Sequence, residues 1–500
     1  MTDRIVVVGA GVGGLSAAAI LARRGFDVTV LERDALGGKL RQEQVAGRAI
    51  DVGPTVLTMP WLLEQVFEAA GASMSSFVRL TPLEVVARHA WQCGATLDLF
   101  ADEERTADAV GAQFGAREAT AYRAFAAYAA RIYELTRGTF IEAQRPTIAG
   151  MLGVAGRFGP RALKEVDGHR TMWSALQSFF RDPRLVQLFA RYATYCGASP
   201  LTAPATLNVV SHVERLGVHA VQGGMIAIVD GLSKVAETNG ARLRRGAHVE
   251  EISTHRGKVT GVRLSGGEVI PADAVVFNGD AHALATGLVG HGVRGAAPET
   301  TTPSLSAITL AMVAKQSGFP LDRHNVFFSE DYAREMGALD RGELPDDTTV
   351  YLCAQDRPGG GSSERFFVII NAPPTGRSRG PYPEPGLWQE RVSRWLSRFS
   401  VTLSIEEAAV TTPQTFASRF PGTGGALYGP ASTSMWSSFS RAAARGSIDG
   451  LYLAGGSAHP GPGVPMAATS GRMAALAVLE DRRSTARWPR TAMLGGTSMR

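Results

Sequence analysis

The sequence predicts an α/β fold, a parallel sheet interleaved with helices, carrying an inserted α+β region with a long helical stretch. Three observations predict it. A strand, a glycine turn, a helix and a second strand run in order through IVVVGAGVGGLSAAAILARRGFDVTVLE at residues 5–32. A second glycine-rich strand-to-helix signature, GLYLAGGSAHPGPGVPMAATSGRMAA, fills residues 450–475. Between them the patterning switches from helical to strand-like and back, so the two ends should meet in space with the intervening chain as excursions.

The apolar run Ile5 to Val8 reads as a buried parallel strand, and Gly9-x-Gly11-x-x-Gly14 follows at once. Gly9 suits the tight turn, Gly11 a close approach of backbone to a pyrophosphate, and Gly14 the packing of helix on strand. The helix opens at about Val12, with its free amides and positive dipole end facing the phosphates. Ala17, Ala18, Ala19 and Ala22 let it sit close on the sheet. A second strand, Val28 to Leu31, ends in Glu32, placed to accept hydrogen bonds from ribose hydroxyls and unsuited to a phosphorylated ribose.

Residues downstream decide which dinucleotide. Leu36-Gly37-Gly38-Lys39-Leu40-Arg41 supplies a second glycine turn with cations, followed by Asp51-Val52-Gly53-Pro54-Thr55. A nicotinamide dehydrogenase has no evident use for such a turn after its ribose acid, whereas a flavoprotein uses it to wrap a longer, buried FAD. Lys39 and Arg41 read either as contacts to pyrophosphate or flavin or as solvated cations. No second GxGxxG follows residue 32, so no separate NADPH site is indicated.

These motifs resemble the flavin-dependent amine oxidase and carotenoid desaturase superfamily. The resemblance implies a Rossmann-like FAD-binding domain of the glutathione-reductase and amine-oxidase type, in which Gly455 and Gly456 end a closing strand and the helix opening at Val464, Pro465 and Met466 points its amino end at the flavin ring. It also implies that Gly38, Gly53, Pro54 and Thr55 line the flavin and that the backbone of Val249 meets the adenine. Amine oxidases usually carry an acid after the glycine of the closing strand, where this chain has Gly455-Gly456-Ser457. The His459-Pro460-Gly461-Pro462-Gly463-Val464-Pro465 stretch is instead similar to the bacterial phytoene-desaturase branch. Residues 51–71, 87–102 and 189–214 resemble the hydroxycarotenoid 3,4-desaturases of purple phototrophic bacteria. That resemblance implies desaturation of acyclic 1-hydroxy or 1-methoxy carotenoids, with dioxygen or a membrane quinone taking the electrons. A multistep phytoene desaturase, an amine oxidase and a non-enzymatic prenyl-lipid carrier are the rival readings. His459 reads either as a catalytic acid or base, or as a loop histidine bonded to backbone or cofactor.

Five hundred residues suggest two or three domains. The expected division is 1–80, 221–295 and 436–485 for the FAD-binding parts, 81–220 and 296–435 for the substrate excursions, and 486–500 as a flexible tail. Within the first excursion, Leu83 to His89 and Thr96 to Phe100 read as a hairpin, and residues 103–217 turn helical with aromatics at three- and four-residue spacing. Most of those rings are expected in the core and some along a substrate tunnel. Strands return over 241–277, then near 305–313, 350–354 and 366–371; DRPGGGSSER at 356–365 reads as a flexible loop, and periodicity is lost from Asp481 onward.

Charged residues make up 19% of the chain, below the roughly one quarter of ordinary soluble domains, and hydrophobic residues 45%. No run reaches the ~18 apolar residues of a spanning helix, so a soluble or peripheral membrane protein is expected. The first motif starts too early for a signal peptide before it. Cys93, Cys196 and Cys353 are scattered and odd in number, which argues against disulfides and metal and suits a reducing cytoplasm. A net charge of +5 with no basic run interleaved with aromatics favours an anionic membrane surface over nucleic acid.

Overall fold

A computed structural model describes residues 3–378 and 382–487. At its centre lies a five-stranded sheet in the order Leu451–Leu453, Ala274–Phe277, Arg4–Val8, Asp27–Leu31, Arg242–Arg244, with every pairing parallel. Register aligns Val8 with both Leu31 and Phe277, and Phe277 with Leu453. Four strands therefore end at one level, and the residues just beyond them, Gly9, Glu32, Asn278 and Gly455, gather at one edge. In an open parallel sheet that carboxyl edge is where ligands bind.

The opening helix, Val12–Arg23, is buried along almost its whole length. Its small residues allow this, because it is pressed between the sheet and the closing helix, Val464–Arg487. A Cβ on Gly471 would lie 2.0 Å from the Gly13 carbonyl oxygen, so backbone meets backbone there. The closing helix runs past Asp481, where the sequence loses periodicity, and Arg445 pairs with Asp481 at 3.1 Å. Residues 488–500 of the expected tail lie outside the described residues.

A second sheet of seven strands runs in the order Val401–Thr411, Ser306–Gly318, Glu364–Ala372, Val350–Ala354, His324–Phe327, Val85–Ala90, Thr96–Phe100. The early hairpin joins the late strands through parallel pairing of Asn325 with Arg88. Alternation sorts its residues: Leu352, Ile308, Val368 and Ile370 pack under the Pro385–Ser397 helix around Trp388. On the opposite face Cys353, Phe367, Ala311 and Val313 receive Val45 and Ile50 from the Gln42–Asp51 hairpin and Val52 just after it. The segment that wraps the first motif is thereby laid on the second sheet.

Helices at 103–114, 116–136, 172–179, 183–190 and 209–215 cover the hairpin end of that sheet. Their starts are fixed by side-chain caps: Asp102, Thr171 and Asp182 accept from the amides of Arg105, Ser174 and Arg184. Tyr122, Phe125, Phe180 and Phe189 pack on one another as core, with Phe125 and Phe189 ring centres 4.7 Å apart. The loop at 356–363 is tied at its ends, Asp356 to Arg48 and Arg365, and Arg357 to Glu364.

Candidate active site

One cavity of about 1040 Å³ begins beside Glu32 and Val249, passes both glycine signatures, and continues between the second sheet and the helical layer to Phe140, Met151 and Met435. Gly9, Gly11, Gly38, Lys39, Arg41, Gly53, Pro54, Thr55, Gly455, Gly456, Val464, Pro465 and Met466 all line it. Gly14 does not; a Cβ there would stand 2.1 Å from the Gly9 carbonyl oxygen, so this glycine lets the helix close on the turn. His459 is not brought to the wall either. It is buried, with Nε2–H donating to the Ala143 carbonyl at 2.9 Å and its backbone amide to Ala442. Burial lowers its pKa to about 4, which keeps the ring neutral near pH 7.

The cradle is built for close approach of a ligand. Gly9 and Gly455 adopt φ of +96° and +108°, conformations that a side chain disfavours. A Cβ on Gly13 would stand 2.7 Å from Asn278 Oδ1, 2.8 Å from the Gly455 nitrogen and 2.9 Å from the Ala467 carbonyl oxygen. Glu32 is held from two sides, accepting at 2.8 Å from the Ala10 amide and at 2.9 Å from the Asp34 amide. Lys39 is half-buried, donating to the Leu427 carbonyl at 2.5 Å, and desolvation lowers its pKa. Arg41 lies on the wall with its buried Nε unpartnered among the described residues.

Several residues of the site have roles that local spacing does not announce. Asn278 donates to the Gly9 carbonyl and touches both glycine signatures. Buried Asp51 accepts from the Met225 amide and Gln42, while its backbone exchanges two hydrogen bonds with Gln355, fixing the 51–55 loop. Arg441 donates to the carbonyls of Tyr428, Pro430 and Gly456, tying down the closing strand's loop. The spacing of the glycines is local, whereas Asn278 and Asp51 act on partners 174 to 304 positions away and Arg441 on carbonyls 11 to 15 positions off.

The pattern of the flavin containing amine oxidoreductase family matches residues 12–479. The chain belongs to that family. It is an FAD-dependent oxidoreductase, and the cradle fits the group: backbone lies where side chains would obstruct a pyrophosphate, Glu32 stands at the ribose end, and helix amino ends face the cavity. Curated relatives sharpen the branch. The hydroxyneurosporene desaturase of Rubrivivax gelatinosus is 47% identical across 100% of this chain and 97% of its own length. That of Cereibacter sphaeroides is 43% identical over 97% and 99%, and the all-trans-zeta-carotene desaturase of Myxococcus xanthus 32% over 94% and 92%. Membership thus extends to the carotenoid desaturases, enzymes of CH–CH oxidation. Among solved structures, wild-type putrescine oxidase bound to putrescine aligns with a TM-score of 0.59 at 14% identity over 96% of this chain and 99% of that one. An oxidoreductase from Methanosarcina mazei aligns at 0.58 with 15% identity, over 95% and 100%. At these identities the likeness is one of fold. Among the described residues no helix is long and apolar enough to cross a membrane, and no group of side chains could hold a metal ion.

Proposed function

We propose that this protein introduces the 3,4 double bond into acyclic 1-hydroxy or 1-methoxy carotenoids. The observation that carries the reading is the shape of the cavity: past the 51–55 loop it continues as an apolar arm along Val210, Val213, Leu207 and Ile369 toward Phe140 and Met151. A long hydrocarbon chain suits such an arm, and at ~25 cal/mol per Å² its burial supplies ample affinity without polar contacts. The full-length identity to two hydroxyneurosporene desaturases supports the same substrate class.

FAD, when bound, supplies the acceptor for the hydride and proton removed from adjacent carbons. The chain's own residues hold and shield it. Gly9, Gly11 and the amino end of the opening helix receive the pyrophosphate, Glu32 the ribose, and Val249 the adenine. Lys39, Arg41, Gly38, Gly53, Pro54, Thr55 and the helix amino end at Val464 to Met466 surround the reacting half. His459 acts as a positioning residue, pinning the closing loop to Ala143.

The arm opens at a surface suited to lipid. In the Ile148–Phe158 helix Ile148 and Leu152 are 67% and 62% exposed, and nearby Trp436 is 59% exposed. Met151 and Met435, from the same two segments, line the cavity, so a peripheral docking there delivers substrate from the bilayer. Arg157, Arg161 and Lys164 add positive charge beside it. Electrons then pass to dioxygen or a membrane quinone.

The test is anaerobic single turnover of the FAD-loaded protein with membrane-embedded 1-hydroxyneurosporene or phytoene. Flavin bleaching with the hydroxylated substrate alone, plus one added conjugated double bond, is the expected result. Bleaching with phytoene would assign the protein to multistep desaturation instead, and rapid stoichiometric reoxidation by NADP would exclude the proposed acceptors.

A further inference from the structure

The apolar arm carries a polar enclave where it meets the 51–55 loop. Thr55 Oγ1 and the Tyr351 hydroxyl lie 2.7 Å apart, and that hydroxyl lies 2.7 Å from His324 Nδ1. Beside them Arg191 Nη1 donates to the Tyr195 hydroxyl at 2.9 Å, which donates in turn to Glu214 Oε1 at 2.9 Å. Tyr192 donates to the other oxygen of Glu214. Thr55, Tyr351, Arg191, Tyr195 and Glu214 all line the cavity.

Such a cluster is costly against hydrocarbon. Arg191 is only 5% exposed, and its Nε and Nη2 have no hydrogen-bond partner among the described residues; nor has Nε2 of buried His324. A buried donor left unpaired loses its hydration with no return, so the enclave has spare capacity directed at something the protein alone does not provide. Its position restricts what that is. Thr55 belongs to the loop that lines the reacting end of the cavity, and the enclave adjoins it.

We propose that this enclave seats the oxygen on carbon 1 of the substrate, with Arg191 donating through its free Nε or Nη2 and Tyr351 as second donor, its hydroxyl accepting from Thr55 and from the Nδ1–H tautomer of His324. The inference rests on the desaturase reading given above. On a 1-oxygenated chain the oxygen is two carbons from carbon 3, so a substrate lying with its 3,4 bond at the 51–55 loop puts its oxygen beside Thr55 and Tyr351. An ether oxygen can only accept, and a hydroxyl both donates and accepts. Recognition of both substrates therefore requires a donor, which a lone carboxylate does not offer. Glu214, whose two oxygens accept from Tyr192 and Tyr195, serves to orient Tyr195 rather than to meet the ligand. The seat selects the oxygenated end of the polyene and sets which bond reaches the reaction centre.

The test is equilibrium binding, without turnover, to the oxidised FAD-loaded full chain in detergent, followed by the carotenoid absorption shift. Three probes share one polyene: 1-hydroxyneurosporene, its 1-methoxy ether and neurosporene. The wild type is expected to bind the two oxygenated probes about tenfold more tightly than neurosporene, as one well-made hydrogen bond allows. Tyr351→Phe is expected to bring that ratio toward one by weakening only the oxygenated probes, and Tyr195→Phe to lower it less. Equal wild-type affinity for all three probes overturns the seat whether or not any variant folds. An unchanged ratio in a folded Tyr351→Phe, together with an unchanged ratio in Tyr195→Phe, overturns it as well. Failure of the desaturase reading registers separately, as turnover of phytoene and none of the hydroxylated carotenoid.

Discussion

The side-chain amide of Asn278 donates to the carbonyl of Gly9 at 3.2 Å, joining two residues 269 positions apart. The same side chain stands where a methyl group on Gly11, Gly13 or Gly455 would have to go. One asparagine at the end of the Ala274–Phe277 strand therefore locks the opening turn and the closing strand to each other. The cradle's width depends on that contact as much as on the glycines.

Asn278→Ala should loosen both signatures at once. Loss of the half-buried hydrogen bond and its packing costs about 1 kcal/mol. Purified variant is expected to carry less FAD per chain, read from the ratio of flavin to protein absorbance, and to melt earlier than wild type. Full FAD occupancy with unchanged melting would refute the locking role.

Gly13→Ala is the more severe change. Its methyl group would press on Asn278, Gly455 and Ala467 together, and overpacking of this kind costs about 1–3 kcal/mol. Thermal unfolding with and without added FAD should show lower stability and a weaker FAD-dependent gain. Wild-type behaviour would mean that the two signatures are not in contact in solution.

Glu32→Ala should weaken FAD affinity by about tenfold or more, the scale of a hydrogen bond to a charged group. Titration of the stripped protein with FAD, followed by flavin fluorescence, measures it. An unaltered dissociation constant would remove Glu32 from the ribose site.

His459→Gln separates a positioning role from a catalytic one. The folded state depresses the histidine pKa to about 4 from an ordinary 6.5, so between those values the unfolded chain binds the extra proton. Stability contributed by the neutral ring is present above pH 6.5 and is lost as pH falls toward 4, at up to ~1.4 kcal/mol per pH unit. Glutamine can still donate to Ala143 and does not titrate. The variant should turn over at a near-wild-type rate, and its denaturant midpoint should fall less steeply between pH 6.5 and 4. Loss of turnover in a folded, FAD-loaded variant would restore the acid–base role.

Ile148→Ser, Leu152→Ser and Trp436→Ser combined should reduce sedimentation with anionic phospholipid vesicles, because three exposed apolar side chains are removed from one rim. FAD content should not change. Equal vesicle binding would move the docking surface elsewhere.

Much of the first cradle was legible because its signals are local. The strand read from Ile5 and the helix read from Val12 appear as Arg4–Val8 and Val12–Arg23, and the hairpin near Cys93 is present. Gly9, Gly11 and Gly13 of the first signature and Gly455, Gly456 and Gly463 of the second face one cavity, with Gly14 behind its wall. Other parts were hidden for identifiable reasons. The Val401–Thr411 strand lies at the sheet edge, and its Glu406 and Glu407 obscure the alternation. His324–Phe327 is four residues long, too short for a period to declare itself. Asn278 reads as an ordinary strand end, and Arg191 as one cation in an aromatic helix. Only tertiary contacts give either of them a task.

The closing helix packs against the opening helix, although these are among the last and first elements of the chain to be made. During synthesis the first glycine turn leaves the ribosome long before the strand and helix that complete its cradle. Contacts this distant in sequence form late, after the intervening excursions have found their own partners. A chain halted before its closing helix emerges therefore lacks half of the cradle, whatever the state of the glycine turn that began it.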